Sequence, residues 1–257
     1  MKYLLTMLIV AAVTSFTGCK DDDDVNSGGD GKLSGHVILI QSSGELLPDY
    51  SGITIEIEGT KLRATTDLYG YWEIKDVHPG ILNVRVSKDS FGFIREIGYQ
   101  FTGGGQAYMN TCCLGKTPTF GINFWSINSS ASHIDFEVSG ASTEDQARRA
   151  IFIIGPDSLL NPLDSSNFIW QNSSEQLFFD SSTHMKSGIN PTNLYHHGFT
   201  PGVTYYACAY GNGWFGRYPL MPNGDPYIPS RYFEPRTQQY IYTSNGTKSN
   251  VLSFILK

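Results

Sequence analysis

Six histidines, four cysteines and 24 carboxylates are the groups in this 257-residue chain best able to do chemistry. Their spacing argues against a reaction centre. His196 and His197 are adjacent, and on a strand neighbours point to opposite faces, so the pair cannot hold one metal. His36, His78, His133 and His184 lie scattered among different segments. Cys112 and Cys113 are also adjacent, so at most one of them can meet Cys208. The pair lacks the two-residue spacing of structural zinc ligands. Serines are frequent, yet none sits in a Gly-x-Ser-x-Gly elbow. Carboxylate pairs take meaning only from a fold, so spacing leaves a glycosidase dyad open. The expectation is a protein that is not an enzyme and needs no metal or cofactor. Its thiols are expected free and buried, with one disulfide as the alternative.

A second chemistry-bearing stretch is aromatic. Between Gly211 and Ser249 lie Trp214, Phe215, Tyr218, Tyr227, Tyr232 and Phe233, with Arg217, Asp225 and Arg231 among them. Five prolines and eight glycine or asparagine breakers rule out a long helix. A hairpin connection needs two to five residues, so this excursion is far longer than connectivity requires. Aromatic faces beside polar groups suit sugar rings, whose C–H faces are apolar while their hydroxyls need partners. Three readings stay open: rings packed on the protein's own surface, a protein–protein contact, or a glycan site. A ligand cleft needs exposed rings, whereas packing hides them.

Composition sets the frame for these residues. Tyr and Phe number 15 each and Gly 27, in many short alternating segments separated by turn dipeptides. That combination predicts an all-β chain. The formal charge of −6 and the lack of a basic patch exclude nucleic acid as a partner; Arg148-Arg149 alone is too little. About 225 residues beyond the N-terminal segments suffice for two modest cores.

The N-terminus reads as an address. Lys2 precedes an apolar run from Tyr3 to Val13, broken only by Thr6. This is far short of the roughly 20 residues that span a bilayer, so it is a signal-peptide core. Ser15-Phe16-Thr17-Gly18-Cys19 follows and resembles the lipobox of bacterial lipoproteins, with Phe16 and Thr17 departing from the common pattern. An ordinary secretory signal is the alternative. The resemblance implies cleavage after residue 18 and acylation of Cys19, giving an anchored protein of formal charge −7. Lys20, Asp21, Asp22, Asp23 and Asp24 resemble the signal that sends Bacteroidota lipoproteins to the exterior face of the outer membrane. Adjacent aspartates repel, so residues 19–32 read as a flexible leash with a typical reach of only about 20 Å. Two or more acyl chains at ~0.8 kcal/mol per methylene would hold it stably.

Residues 33–114 form the first predicted domain. Ile53, Ile55 and Ile57 alternate with polar neighbours, which marks a half-buried strand. Asp67 and Gly70 predict a tight turn before Trp72 and Ile74, and His78-Pro79-Gly80 predicts the next, before Leu82, Val84 and Val86. Thr66-Asp67-x-x-Gly70-x-Trp72, followed by Val77-x-x-Gly80, resembles the carboxypeptidase regulatory-like domain. The likeness covers most of residues 33–87 and implies a prealbumin-like β-sandwich with a spacer role and no peptidase activity.

Residues 115–257 form the second. Phe199-Thr-Pro-Gly-Val-Thr-Tyr205 resembles the entry to the sixth strand of a fibronectin type III or immunoglobulin-like sandwich. There a tyrosine pins the corner, a role that falls on Tyr205. Ala207 and Ala209 then face the core, and Tyr206, Cys208 and Tyr210 the other side. Further strands are expected at Phe120–Phe124, Ile134–Val138, Ala150–Ile154, Gln176–Phe179 and Val251–Leu256. Asp157-Ser158-Leu159 resembles the short acceptor of O-glycans on exported Bacteroidota proteins, a plain loop being the alternative.

The leading functional expectation is an outer-membrane surface lipoprotein acting as an accessory binding or assembly subunit. It would sit beside a TonB-dependent transporter and its lipoprotein lid in a nutrient-uptake system, an inference from family resemblance. The alternatives are an adhesion protein for host or neighbouring-cell surfaces, and direct carbohydrate binding by residues 211–249.

Overall fold

The computed structural model describes residues 29–41, 44–119, 121–141, 149–164, 166, 168, 170–173, 184–212 and 230–257. The chain is all-β. Its first part holds β1 (Gly31–Ile40), β2 (Thr54–Ile57), β3 (Arg63–Thr65), β4 (Tyr71–Val77), β5 (Gly80–Lys88), β6 (Gly92–Phe101), β7 (Gln106–Tyr108) and β8 (Cys112–Gly115). These make two facing sheets. One is ordered β4-β1-β7, with β8 also paired to β1; the other is β3-β2-β5-β6. Alternation decides the faces: Leu33, Val37, Ile53, Ile55, Trp72, Ile74 and Val84 point inward into one core. The turn before β4 is held as its sequence predicts. Asp67 Oδ1 accepts from the backbone N–H of Tyr69 and of Tyr71, each at 2.9 Å, and Gly70 takes φ +83°.

The second part holds β9 (Gly121–Ser129), β10 (Ile134–Ala141), β11 (Arg149–Gly155), β12 (Trp170–Ser173), β13 (His184–Ile189) and α1 (Pro191–His196). It continues with β14 (Thr204–Asn212), β15 (Arg231–Glu234), β16 (Gln239–Tyr242), β17 (Asn245–Lys248) and β18 (Leu252–Ile255). Sheet β13-β10-β9 faces sheet β12-β11-β14-β17, to which β18 adds through β14. Ile134, Phe136, Phe152, Ile154, Ala207, Ala209 and Phe254 fill the space between. The tyrosine corner is present: Tyr205 Oη accepts from Thr200 N at 2.9 Å, and its ring lies 4.6 Å from that of Phe199. The strand expected at Gln176–Phe179 lies outside the described residues.

Two expectations are corrected. His196 and His197 are not on a strand; they end and cap α1, a single helical segment begun by Asn190, whose Oδ1 accepts from Thr192 N at 2.9 Å, with Pro191 at the first turn. The stretch 211–249 is also not one loop. Its C-terminal half forms the hairpin β15–β16 and then β17, which returns to β14.

That hairpin joins the two parts. β11 and β14 are buried on both faces, which is why Ala150 to Ile154 reads as an unbroken apolar run. Their second face packs Ile151, Ile153, Cys208 and Tyr210 against Tyr232 and Ile241 of the hairpin, with Phe93 and Ile97 of β6 alongside. Hydroxyls complete the joint. Ser230 Oγ donates to Phe91 O at 2.7 Å and accepts from Gly115 N at 2.9 Å, while Ser230 N donates to Cys113 O at 3.0 Å. Thr243 Oγ accepts from Phe93 N at 2.9 Å and donates to Phe93 O, and Ser244 Oγ donates to Gly115 O at 2.7 Å. Gly92, at φ +75°, leaves room for this approach: a Cβ there would lie 2.8 Å from the Thr243 carbonyl carbon and oxygen.

Candidate functional site

Thiol chemistry is quiet here. Cys112, Cys113 and Cys208 are free. Burial pushes the Cys112 thiol up to about 12 and the Cys208 thiol up to about 11, so neither offers thiolate near neutrality. Cys112 lines a cavity of about 110 Å³ inside the first sandwich, with Trp72, Val84, Ile94, Glu96 and Tyr99. This is smaller than the ~150 Å³ that holds a benzene ring. Burial raises the Glu96 carboxyl above its usual range. Among the described residues, no group of three or more His, Cys, Asp or Glu is placed to hold a metal ion. His196 and His197 are exposed, and His133 pairs with its neighbour Asp135 at 3.0 Å.

The aromatic candidates divide. Cys19, Lys20, Asp21, Asp22, Asp23, Asp24, Trp214, Phe215, Arg217, Tyr218, Asp225 and Tyr227 lie outside the described residues. Tyr232 is buried in the joint, 5.8 Å from the Phe93 ring, with the Arg95 guanidinium 5.6 Å above it. It is an internal packing residue. Arg95 is held there by both oxygens of Glu58, a fork-to-fork pair that raises the guanidinium further. Glu234 also faces inward, and the Arg236 side chain that donates to it holds its carboxyl below the usual range.

Arg231 and Phe233 face outward, and the sequence reading missed the residue that links them. Phe233 and Tyr240 are directly opposite on the two strands, and their exposed rings meet edge to face at 5.3 Å. The Arg231 guanidinium lies 4.1 Å over the Tyr240 ring. Alternation places all three on one face of the ribbon, while Tyr232 and Ile241 anchor the other face. The result is a cation–ring–ring row on a support that cannot swing freely. The β15–β16 register reveals Tyr240, which the sequence alone does not place beside Phe233.

No family model matches the chain, and no curated protein matches it. Among solved structures, a chain from a type II Cohesin-X-Dockerin complex of Acetivibrio cellulolyticus is similar at 25% identity and a TM-score of 0.29, over 34% of this chain. The chain spans only 58% of that relative's length. A Bacteroides uniformis structure named "putative carbohydrate binding protein" is 13% identical with a TM-score of 0.33, covering 89% of this chain and all of the other. A DUF3823 family protein from Parabacteroides merdae is 13% identical with a TM-score of 0.31, over 90% of this chain and all of its own. Likeness at this level assigns neither family nor ligand.

Proposed function

We propose that the protein is a non-catalytic glycan-binding lipoprotein on the exterior face of the outer membrane, an accessory subunit of a TonB-dependent uptake system. The observation that carries the binding half is the Arg231–Tyr240–Phe233 row. Exposed rings offer faces for sugar C–H groups, and the guanidinium donates to hydroxyls. The buried side of the hairpin fixes their spacing before any ligand arrives, which lowers the ordering cost of binding. The anchor half rests on the sequence: the apolar run, Cys19 and the aspartates after it.

Affinity electrophoresis of the full chain against a panel of plant and host polysaccharides tests the binding reading. At least one polymer is expected to retard the protein, and Tyr240→Ala to weaken that retardation about tenfold, the equivalent of ~1.4 kcal/mol. The exposed ring should be lost without a change in melting temperature. Retardation by no polymer, or equal retardation of the variant, would overturn the reading. The subunit half is tested by mild detergent solubilisation of native membranes through a C-terminal tag. A transporter of outer-membrane barrel type is expected to co-purify in stoichiometric amount, and its absence sinks that half alone.

A further inference from the structure

A second aromatic row lies on the first sandwich, far from the hairpin in sequence. On the outer face of sheet β4-β1-β7, Tyr71 is the cross-strand partner of His36, and Tyr108 projects from β7 opposite Ser34, two residues along β1. The His36 ring lies 5.3 Å from that of Tyr71 and 5.9 Å from that of Tyr108, and its Nδ1 is hydrogen-bonded to Tyr108 Oη at 2.5 Å. Tyr108 is 53% exposed although a large ring on a sheet gains by burial. Gln106 donates to Ser34 Oγ at 3.0 Å beneath it, which fixes the edge strand that carries it.

Charge flanks this row. Glu73 follows Tyr71 on the same face and pairs with Lys32 at 3.6 Å and Lys75 at 3.7 Å. The carboxylate is the sunken member, its side chain 23% exposed, while the two lysines are 48% and 66% exposed. The more exposed groups are therefore the two ammonium groups, which share one carboxylate and leave a local excess of positive charge on a chain of net charge −6. The three rings run across the strands, tilted to one another by 57° and 45°, and Lys32 and Lys75 lie beside them further along β1 and β4.

We infer that this face binds a glycan carrying uronate residues: pyranose faces rest on Tyr71, His36 and Tyr108, and a carboxylate is received by Lys32 and Lys75. A neutral polymer would use the rings but leave unmatched the net positive charge of two lysines sharing one carboxylate. The inference adds a ligand class and a second contact surface to the glycan-binding reading, yet it stands on different residues. It gives the first sandwich a direct role beyond that of a spacer.

The test uses the full chain with two probes, polygalacturonate and the uncharged β-1,4-galactan, at low and at raised salt. Polygalacturonate is expected to bind more tightly, with affinity falling as salt rises. Tyr71→Ala together with Tyr108→Ala should weaken it at least tenfold, and Lys32→Gln with Lys75→Gln should flatten the salt dependence while leaving galactan unaffected. An unchanged melting temperature in the Lys32→Gln/Lys75→Gln variant guards against a fold defect. Preference for galactan, binding to neither probe, or full binding by the double tyrosine variant would overturn the inference. If Tyr240→Ala abolishes polygalacturonate binding and the Tyr71/Tyr108 variant retains it, this surface fails while the hairpin site stands. The reverse pattern supports this surface and shows that the hairpin takes no part in binding polygalacturonate.

Discussion

Gly70→Ala is expected to destabilise the first sandwich by about 3 kcal/mol or more, from two independent causes. The residue sits at φ +83°, where an L side chain costs roughly 1–2 kcal/mol. Its added Cβ would also stand 2.1 Å from the carbonyl oxygen of Val37, backbone in the middle of β1. That atom cannot step aside as a flexible side chain could. The turn must instead move outward, which breaks the 3.0 Å bond from Val37 N to Gly70 O and strands a buried donor at about 1–3 kcal/mol. Asp67 resists the shift, because its carboxylate already holds Tyr69 N and Tyr71 N. Against a typical domain stability of about 5–15 kcal/mol, the loss is large. Urea unfolding followed by Trp fluorescence would report it through Trp72, which is two residues from the turn. A loss under about 1 kcal/mol would show that the turn relaxes more easily than its contacts imply. Gly70→Asn should not restore stability, since asparagine tolerates positive φ but carries the same Cβ.

The second large effect is expected at the joint. Thr243→Val keeps shape and removes the hydroxyl that serves both the N–H and the carbonyl of Phe93, as well as Ser230 O at 3.0 Å. Ser230→Ala removes the partner of Phe91 O and Gly115 N. Each change leaves part-buried backbone groups unpaired, at about 1–3 kcal/mol. The two hydroxyls share one network, so the double variant should lose less than the sum of the singles. Calorimetry is expected to show one transition for the parent chain and two for Ser230→Ala/Thr243→Val, the two sandwiches then melting separately. A single undisplaced transition in the double variant would mean that the apolar packing of Phe93, Tyr232 and Ile241 alone couples them.

Local signals were the legible ones. The Asp67–Gly70 turn, the alternation through Ile53, Ile55 and Ile57, and the Tyr205 corner each depend on residues within a few positions of one another, so the sequence displays them directly. The Asn190-Pro191 start of α1 is equally local, but a six-residue helix is short enough for the adjacent histidines to read as strand residues. What could not be read was register. Phe233 meets Tyr240 because a hairpin closes between them, and Tyr71, His36 and Tyr108 become neighbours because β1 pairs with strands 35 and 72 positions away. Tyr232 sits between Arg231 and Phe233 in the sequence, yet alternation turns it into the joint while they remain outside. Composition identified an aromatic-rich chain; pairing decided which rings face water.

The way β8 ends has a consequence for association. One side of this strand pairs with β1, and the other would present Cys113 O, Gly115 N and Gly115 O to any passing chain. Those groups are taken by Ser230 and Ser244, by side-chain hydroxyls and one turn amide, with no further strand beside them among the described residues. An edge closed in this manner offers no ladder for strand addition. The closing serines lie 115 and 129 positions beyond Gly115, so a molecule lacking them would carry a bare edge. Such a molecule would be the form prone to swapping strands and aggregating, and the intact chain is protected by those two serines.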